Sequence, residues 1–157
     1  MKNFLFLPII IPALLLTACG KDEPAGKSAT AVTDGTYSGA MHVTQNDSAG
    51  TVYTQDSVNV TFTPTADSTA EIKMVQVRFS PRMPIKLDMT IPGVTAVKTS
   101  EGLALSGDSI VPLAMGGEYP VYTITGMTGT ATPQTLSFEL LCGAYPLTFS
   151  GKRQPVE

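Results

Sequence analysis

Tryptophan is absent from this chain, histidine occurs once, cysteine twice, and only 15% of its 157 residues are charged. Each shortage narrows what the chain does. A zinc centre needs three or four well-placed Cys, His or carboxylate ligands. The one histidine, His42, stands between Met41 and Val43 as an outward residue of a strand, so no metal is expected. Ser-His-Asp catalysis would have to run through His42, and no Gly-x-Ser-x-Gly elbow is present. No Gly-rich loop opens a helix to cradle a phosphate; Gly126-Met127-Thr128-Gly129 reads as a turn. A two-carboxylate glycosidase needs no motif, but nothing singles out such a pair. The chain therefore reads as a non-enzyme with no catalytic residues and no cofactor. Ten Lys and Arg against thirteen acids, with no basic stripe, argue against nucleic acid.

What is present begins with a charged start, Lys2, and an apolar run from Phe4 to Leu16 broken only by Pro8 and Pro12. That run is about the length of a secretory signal and too short for a bilayer core of ~30 Å. It ends in Leu16-Thr17-Ala18-Cys19, which resembles the bacterial lipobox. The resemblance implies cleavage before Cys19 and a diacylglycerol on its thiol. Several acyl chains at ~0.8 kcal/mol per buried CH₂ make a durable membrane anchor. Residues 1–18 are then a signal peptide, and loss of Lys2 makes the formal charge of −3 one unit more negative. Gly20 rather than Asp follows the cysteine, which points to the outer membrane. Lys21-Asp22-Glu23 fits either a surface-export signal or a solvated linker, leaving surface and periplasmic placement open. Residues 19–33, rich in Pro, Gly, Ala and Ser, read as a flexible tether.

With Cys19 spent on lipid, Cys142 is alone and no intrachain disulfide is available. Its neighbours Leu140 and Leu141 mark it as a small buried hydrophobe.

From Asp34 onward the chain alternates like a β protein. Tyr37, Gly39, Met41 and Val43 share one strand face, as do Val58, Val60 and Phe62 in a second strand. In AEIKMVQVRF the apolar phase slips from even to odd positions, which predicts a β-bulge near Met74–Val75. Ile85, Leu87, Met89 and Ile91 alternate cleanly, with Lys86, Asp88 and Thr90 outward. Further strands are expected around Val94–Val97, Leu103–Leu105, Tyr119–Thr123, Leu136–Leu140 and Tyr145–Phe149. Turn signals separate them, Pro92-Gly93 and Gly116-Gly117 among others. Eight to ten short strands at this spacing mean an antiparallel barrel or sandwich, with helix nearly absent.

Three stretches carry a family resemblance: Gly35-Thr36-Tyr37-Ser38-Gly39, Ile85 to Pro92 (IKLDMTIP) and Tyr145 to Lys152 (YPLTFSGK). Residues 34–153 resemble the calycin-like barrel family of Bacteroidetes-type lipoproteins, with residues 154–157 as a tail. The resemblance implies an eight-stranded up-and-down barrel, lipocalin-like, whose first strand closes on its last. It implies no particular ligand. Gly35-x-Tyr37 stands where lipocalins carry Gly-x-Trp, and either Lys152 or Arg153 could serve as their closed-end arginine.

An eight-stranded barrel has room for packed side chains or one small ligand. Tyr37, Met41, Phe62, Leu87, Met89, Phe138 and Phe149 are the inward residues that a small hydrophobic ligand would meet. The leading expectation is a membrane-anchored binding module in the cell envelope. The alternative is a structural or envelope-interaction protein with a filled barrel; partner proteins are not readable from the chain. Finally, Asp-Ser before a small or aliphatic residue occurs at Ser48, Ser57, Ser68 and Ser109, where composition alone gives about half an occurrence. The pair resembles the O-glycosylation acceptor of Bacteroidetes-type bacteria. It also suits turns, because both side chains bond nearby backbone.

Overall fold

The computed structural model describes residues 31–155, so the expected lipobox residues Leu16, Thr17 and Ala18, and Cys19 itself, lie outside the described residues. The alternating pattern folds as ten strands: β1 (Gly35–Thr44), β2 (Val52–Ala66), β3 (Thr69–Val77), β4 (Leu87–Lys98), β5 (Leu103–Gly107), β6 (Leu113–Ala114), β7 (Gly117–Glu118), β8 (Ile124–Ala131), β9 (Thr135–Cys142) and β10 (Tyr145–Arg153). Eight of them form a closed antiparallel barrel in the order β1-β2-β3-β4-β5-β8-β9-β10, with β10 pairing back onto β1. The little β6–β7 hairpin pairs through β6 with Met89 and Thr90 of β4. Closure removes the sheet edges that an open sheet would expose.

At the closing seam Met41 lies opposite Phe149, and Gly39 opposite Gly151. The inward residues of all eight barrel strands merge into one apolar core, and no polar or charged residue among those described is buried.

Bulges sharpen the bend of the strands round the barrel, and four lie well inside strands here, besides a register shift between Pro64 and Ala66 at the β2–β3 turn. The expected slip in β3 falls at Val75–Gln76, where Met74 and Val77 pair with Met89 and Leu87 and Gln76 takes φ 55°. A second sits in β2 at Asp56–Ser57, between the register pairs Met41–Gln55 and Gly39–Val58, with Ser57 at φ 57°. A third lies in β8 at Gly126, φ 58°. The fourth corrects the reading of Pro92-Gly93 as a turn. Leu87–Lys98 is one strand, and Gly93 at φ 66° carries the phase change from Ile91 to Val94.

Two other expectations are also corrected. Ile85 lies outside β4 and is half exposed, because the chain is still turning at Pro84. Tyr119–Thr123 forms no strand; Pro120 lacks an N–H for a ladder and instead opens a 3₁₀ turn over Pro120–Tyr122.

Aspartates hold two of the bulges, Asp88 from β4 and Asp108 from just past the end of β5. The backbone N–H of Gln76 donates to Asp88 at 2.9 Å, and that of Gly126 donates to Asp108 at 2.9 Å. Asp47 likewise accepts from the Thr51 N–H at 2.9 Å in the β1–β2 loop. In each case a backbone N–H bond is the main cause that holds the carboxyl below its ordinary value. A depressed folded pKa stabilises fully above about pH 4 and is lost as pH falls through the folded values. The urea midpoint should therefore drop between about pH 5 and pH 2, and Asp108→Ala should flatten that drop. Equal pH profiles for Asp108→Ala and the parent would remove this carboxylate from the account.

Candidate functional site

The seven inward residues expected from the sequence all point into the barrel. Tyr37, Met41, Phe62 and Met89 have no exposed surface, and Leu87, Phe138 and Phe149 keep at most 4%. They pack on one another, with the Phe138 and Phe149 rings stacked 5.3 Å apart. The four best-formed cavities among the described residues measure about 350–540 Å³, and all of them open outward. Phe138 and Phe149 line one of them, of about 470 Å³, together with Thr128, Thr130 and Glu139, and Tyr37, Met41, Phe62, Leu87 and Met89 line none of the four.

The barrel has two chemically different ends. Both termini of the described chain sit at one, the near end, with the turns after β2, β4 and β8. There Arg153 Nη2 donates to the Asp34 carbonyl at 2.6 Å and to Thr33 Oγ1 at 3.0 Å, and its guanidinium lies 6.0 Å from the Tyr37 ring centre. Between Lys152 and Arg153, it is Arg153 that packs on the Tyr37 ring. The Tyr37 hydroxyl donates to the Thr132 carbonyl at 3.0 Å, tying β1 to the β8–β9 turn. Beside this plug runs an open groove of about 540 Å³ lined by Val32, Ala66, Ala96, Val97 and Leu103, with Asp67, Ser68 and Lys98 also on its walls.

The far end gathers residues that are distant in sequence. Phe79 is buried there, with Tyr122 at 4.7 Å and Tyr145 at 6.4 Å between ring centres, and Tyr119 stacks on Tyr122 at 5.4 Å. Among the described residues no protein group accepts or donates to the hydroxyls of these three tyrosines. Burial first, then the Tyr145 and Tyr119 hydroxyls, push the Tyr122 phenol above its ordinary value, so it remains a donor at neutral pH. Sequence reasoning missed this cluster because its members come from three separate stretches of chain: the β3–β4 loop, the segment round the 3₁₀ turn and the first residue of β10. The β3–β4 loop left one legible signal: Arg78, Arg82 and Lys86 fall within nine residues that contain no acid.

Cys142 lies beneath the far-end cluster, its thiol 3.9 Å from the Met89 sulfur and 3.7 Å from the Tyr122 carbonyl. Desolvation pushes it up to about 12. A thiolate is the reactive form, so Cys142 should resist thiol reagents at pH 8 until urea unfolds the barrel. Modification of the native fold at the rate of a free thiol would refute this burial.

His42 is exposed and exchanges a 2.9 Å hydrogen bond with Thr54 across β1–β2. Among the described residues no three His, Cys, Asp or Glu side chains converge. The four Asp-Ser serines are all exposed. Ser57, Ser68 and Ser109 adopt left-handed backbone, at φ 57°, 64° and 55°, while the Ser48 copy lies in the loop closed by Asp47. The Asp108 carboxylate also accepts from the Ser109 hydroxyl at 3.1 Å. In three copies the serine thus occupies left-handed backbone, which is uncommon for any residue other than glycine. Comparison of the chain with protein-family models, with curated proteins and with solved structures returned no match.

Proposed function

We propose that this chain is a lipid-anchored envelope protein whose barrel is a rigid, non-catalytic scaffold that works through its outer surface. One observation carries the choice: the core of the described residues is apolar side chains, and the two polar groups that core residues bring, the Tyr37 hydroxyl and the Cys142 thiol, are both met by protein atoms. A ligand site uses a few convergent polar groups to orient its guest, and these two are already engaged. The filled-barrel alternative is therefore preferred to an enclosed apolar ligand. The closed eight-stranded meander, the β1–β10 seam and Arg153 over Tyr37 support the calycin-like resemblance.

Attachment through Cys19 is the second part of the proposal, with the outer membrane as the address. The lipobox pattern supports it, and the near end, where the described chain enters the barrel, would then face the tether. O-glycosylation at Ser48, Ser57, Ser68 and Ser109 is proposed on their exposure and shared Asp-Ser context; an intact mass equal to polypeptide plus lipid rejects it.

The test pairs two measurements on protein from cells that make it naturally. Cys19→Ala should abolish acyl labelling and move the chain out of the membrane fraction. Native mass spectrometry of the parent should show no co-purified apolar molecule. Continued labelling of Cys19→Ala sinks the anchor, and a stoichiometric apolar ligand sinks the filled barrel.

A further inference from the structure

We propose that the far end of the barrel binds a saccharide bearing oxyanions, carboxylate or sulfate. The 78–86 loop supplies the cations, and Tyr119, Tyr122 and Tyr145 supply the surface on which sugar rings pack. The inference rests on the reading that the barrel works through its surface, but not on Cys19 or its lipid.

Charge is the first observation. Among the described residues the one ion pair joins Lys73 to Asp88 at 4.0 Å, so Arg78, Arg82 and Lys86 have no carboxylate partner. The Arg78 Nε is enclosed by protein yet has no hydrogen-bond partner. A donor enclosed in this way is out of a surface ligand's reach, so binding falls to the groups of Arg82 and Lys86 and to whatever part of the Arg78 guanidinium faces outward. Guanidinium groups match the planar geometry of carboxylate and sulfate oxygens.

The loop is also held in place. Its Arg78 N–H donates to Gln55 Oε1 at 2.7 Å, and Gln45 Nε2 donates to the carbonyls of Phe79 at 2.8 Å and Val43 at 3.2 Å. Met83 N–H closes a turn onto the Ser80 carbonyl at 3.1 Å. With Phe79 fixed under Tyr122 and Tyr145, the loop backbone that carries the cations is set before any ligand arrives. Preset donors bind without the ordering cost that a loose loop incurs.

Surface shape selects the saccharide. A bound peptide commonly adds to a free sheet edge or enters an apolar groove. The barrel strands pair on both sides, and none of the four cavities is lined by Arg78, Arg82, Lys86 or the three tyrosines. The far end presents half-buried tyrosine rings and unpartnered hydroxyls, with Val121 beside them 75% exposed. Tyrosine offers an apolar ring and a hydroxyl that both donates and accepts, which suits the ring carbons and hydroxyls of a sugar.

The test is affinity electrophoresis of the detergent-solubilised full chain through gels containing polygalacturonate, dextran sulfate, neutral dextran or poly-glutamate. Retardation by at least one of the two acidic polysaccharides, and not by neutral dextran, is expected. Which one retards the chain assigns carboxylate or sulfate. Arg82→Ala with Lys86→Ala should weaken retardation roughly tenfold, and Tyr119→Ala should weaken it as well. Absence of retardation by both polysaccharides overturns the proposal, as does an undiminished double variant. Poly-glutamate binding as tight as that of the polysaccharides, and unchanged in Tyr119→Ala, overturns the saccharide assignment in favour of an acidic peptide. A co-purified apolar ligand would sink the filled barrel without touching this result.

Discussion

Gly39→Ala should lower the unfolding free energy by roughly 3 kcal/mol or more, the largest loss expected from adding one methyl group to this chain. Gly39 faces Gly151 where β1 meets β10, and its Cβ would be driven into the Ser150 carbonyl oxygen and the Gly151 Cα. Both obstacles are backbone, so no rotamer change relieves them. Room is made only by parting the strands, and these are the two that close the barrel. Gly151 is constrained less severely: its Cβ would meet the Phe149 ring at 2.6 Å and the Ser38 carbonyl at 3.0 Å, and only the second of these is backbone. Gly93→Ala is the control. It has nothing within 4 Å of its Cβ but sits at φ +66°, so it should lose only about 1 kcal/mol for left-handed backbone. With no tryptophan to report unfolding, urea titration by far-ultraviolet circular dichroism is the measurement. Gly39→Ala within 1 kcal/mol of the parent would mean that the seam adjusts and does not hold the barrel shut.

How far the sequence discloses this architecture depends on which interaction sets each feature. Alternation in Tyr37–Val43, Val58–Phe62 and Leu136–Leu140 is imposed by a buried face, so the strands and their inward residues could be read directly. Bulges were harder. The slip from Met74 to Val77 was legible because apolar residues crowd both phases. Pro92-Gly93 has turn composition, so a bulge inside one strand read as a boundary between two. At Ser57 and Gly126 the phase also changes, from Gln55 to Val58 and from Ile124 to Met127. Few apolar residues flank those positions on one side, so periodicity had little to act on. The Asp-Ser repeat shows the converse: three of its serines fill left-handed positions, a backbone requirement that the residue pair records but does not explain. The far-end surface was illegible for a third reason. Phe79, Tyr119, Tyr122 and Tyr145 meet only through tertiary folding, and a search for local motifs cannot bring them together.

Phe149→Ala should destabilise the chain by about 3–5 kcal/mol, and the size of that loss discriminates between the two accounts of the interior. Phe149 lies opposite Met41 on one side and Phe138 on the other, its ring stacked on that of Phe138 and 2% of its surface exposed. In a filled barrel, truncation removes the transfer free energy of the ring and leaves a void that close-packed neighbours cannot collapse around. In a barrel built round a ligand the ring would already border open space. Its loss would enlarge an existing cavity and cost nearer the transfer contribution alone, about 1.5–3 kcal/mol. The void also makes a positive prediction. An apolar hole of that kind stays dry and accepts small aromatics, so benzene should raise the urea midpoint of Phe149→Ala and leave the parent unchanged. A parent protein equally stabilised by benzene would show that an interior space already exists, and the surface-acting scaffold would have to yield to a carrier.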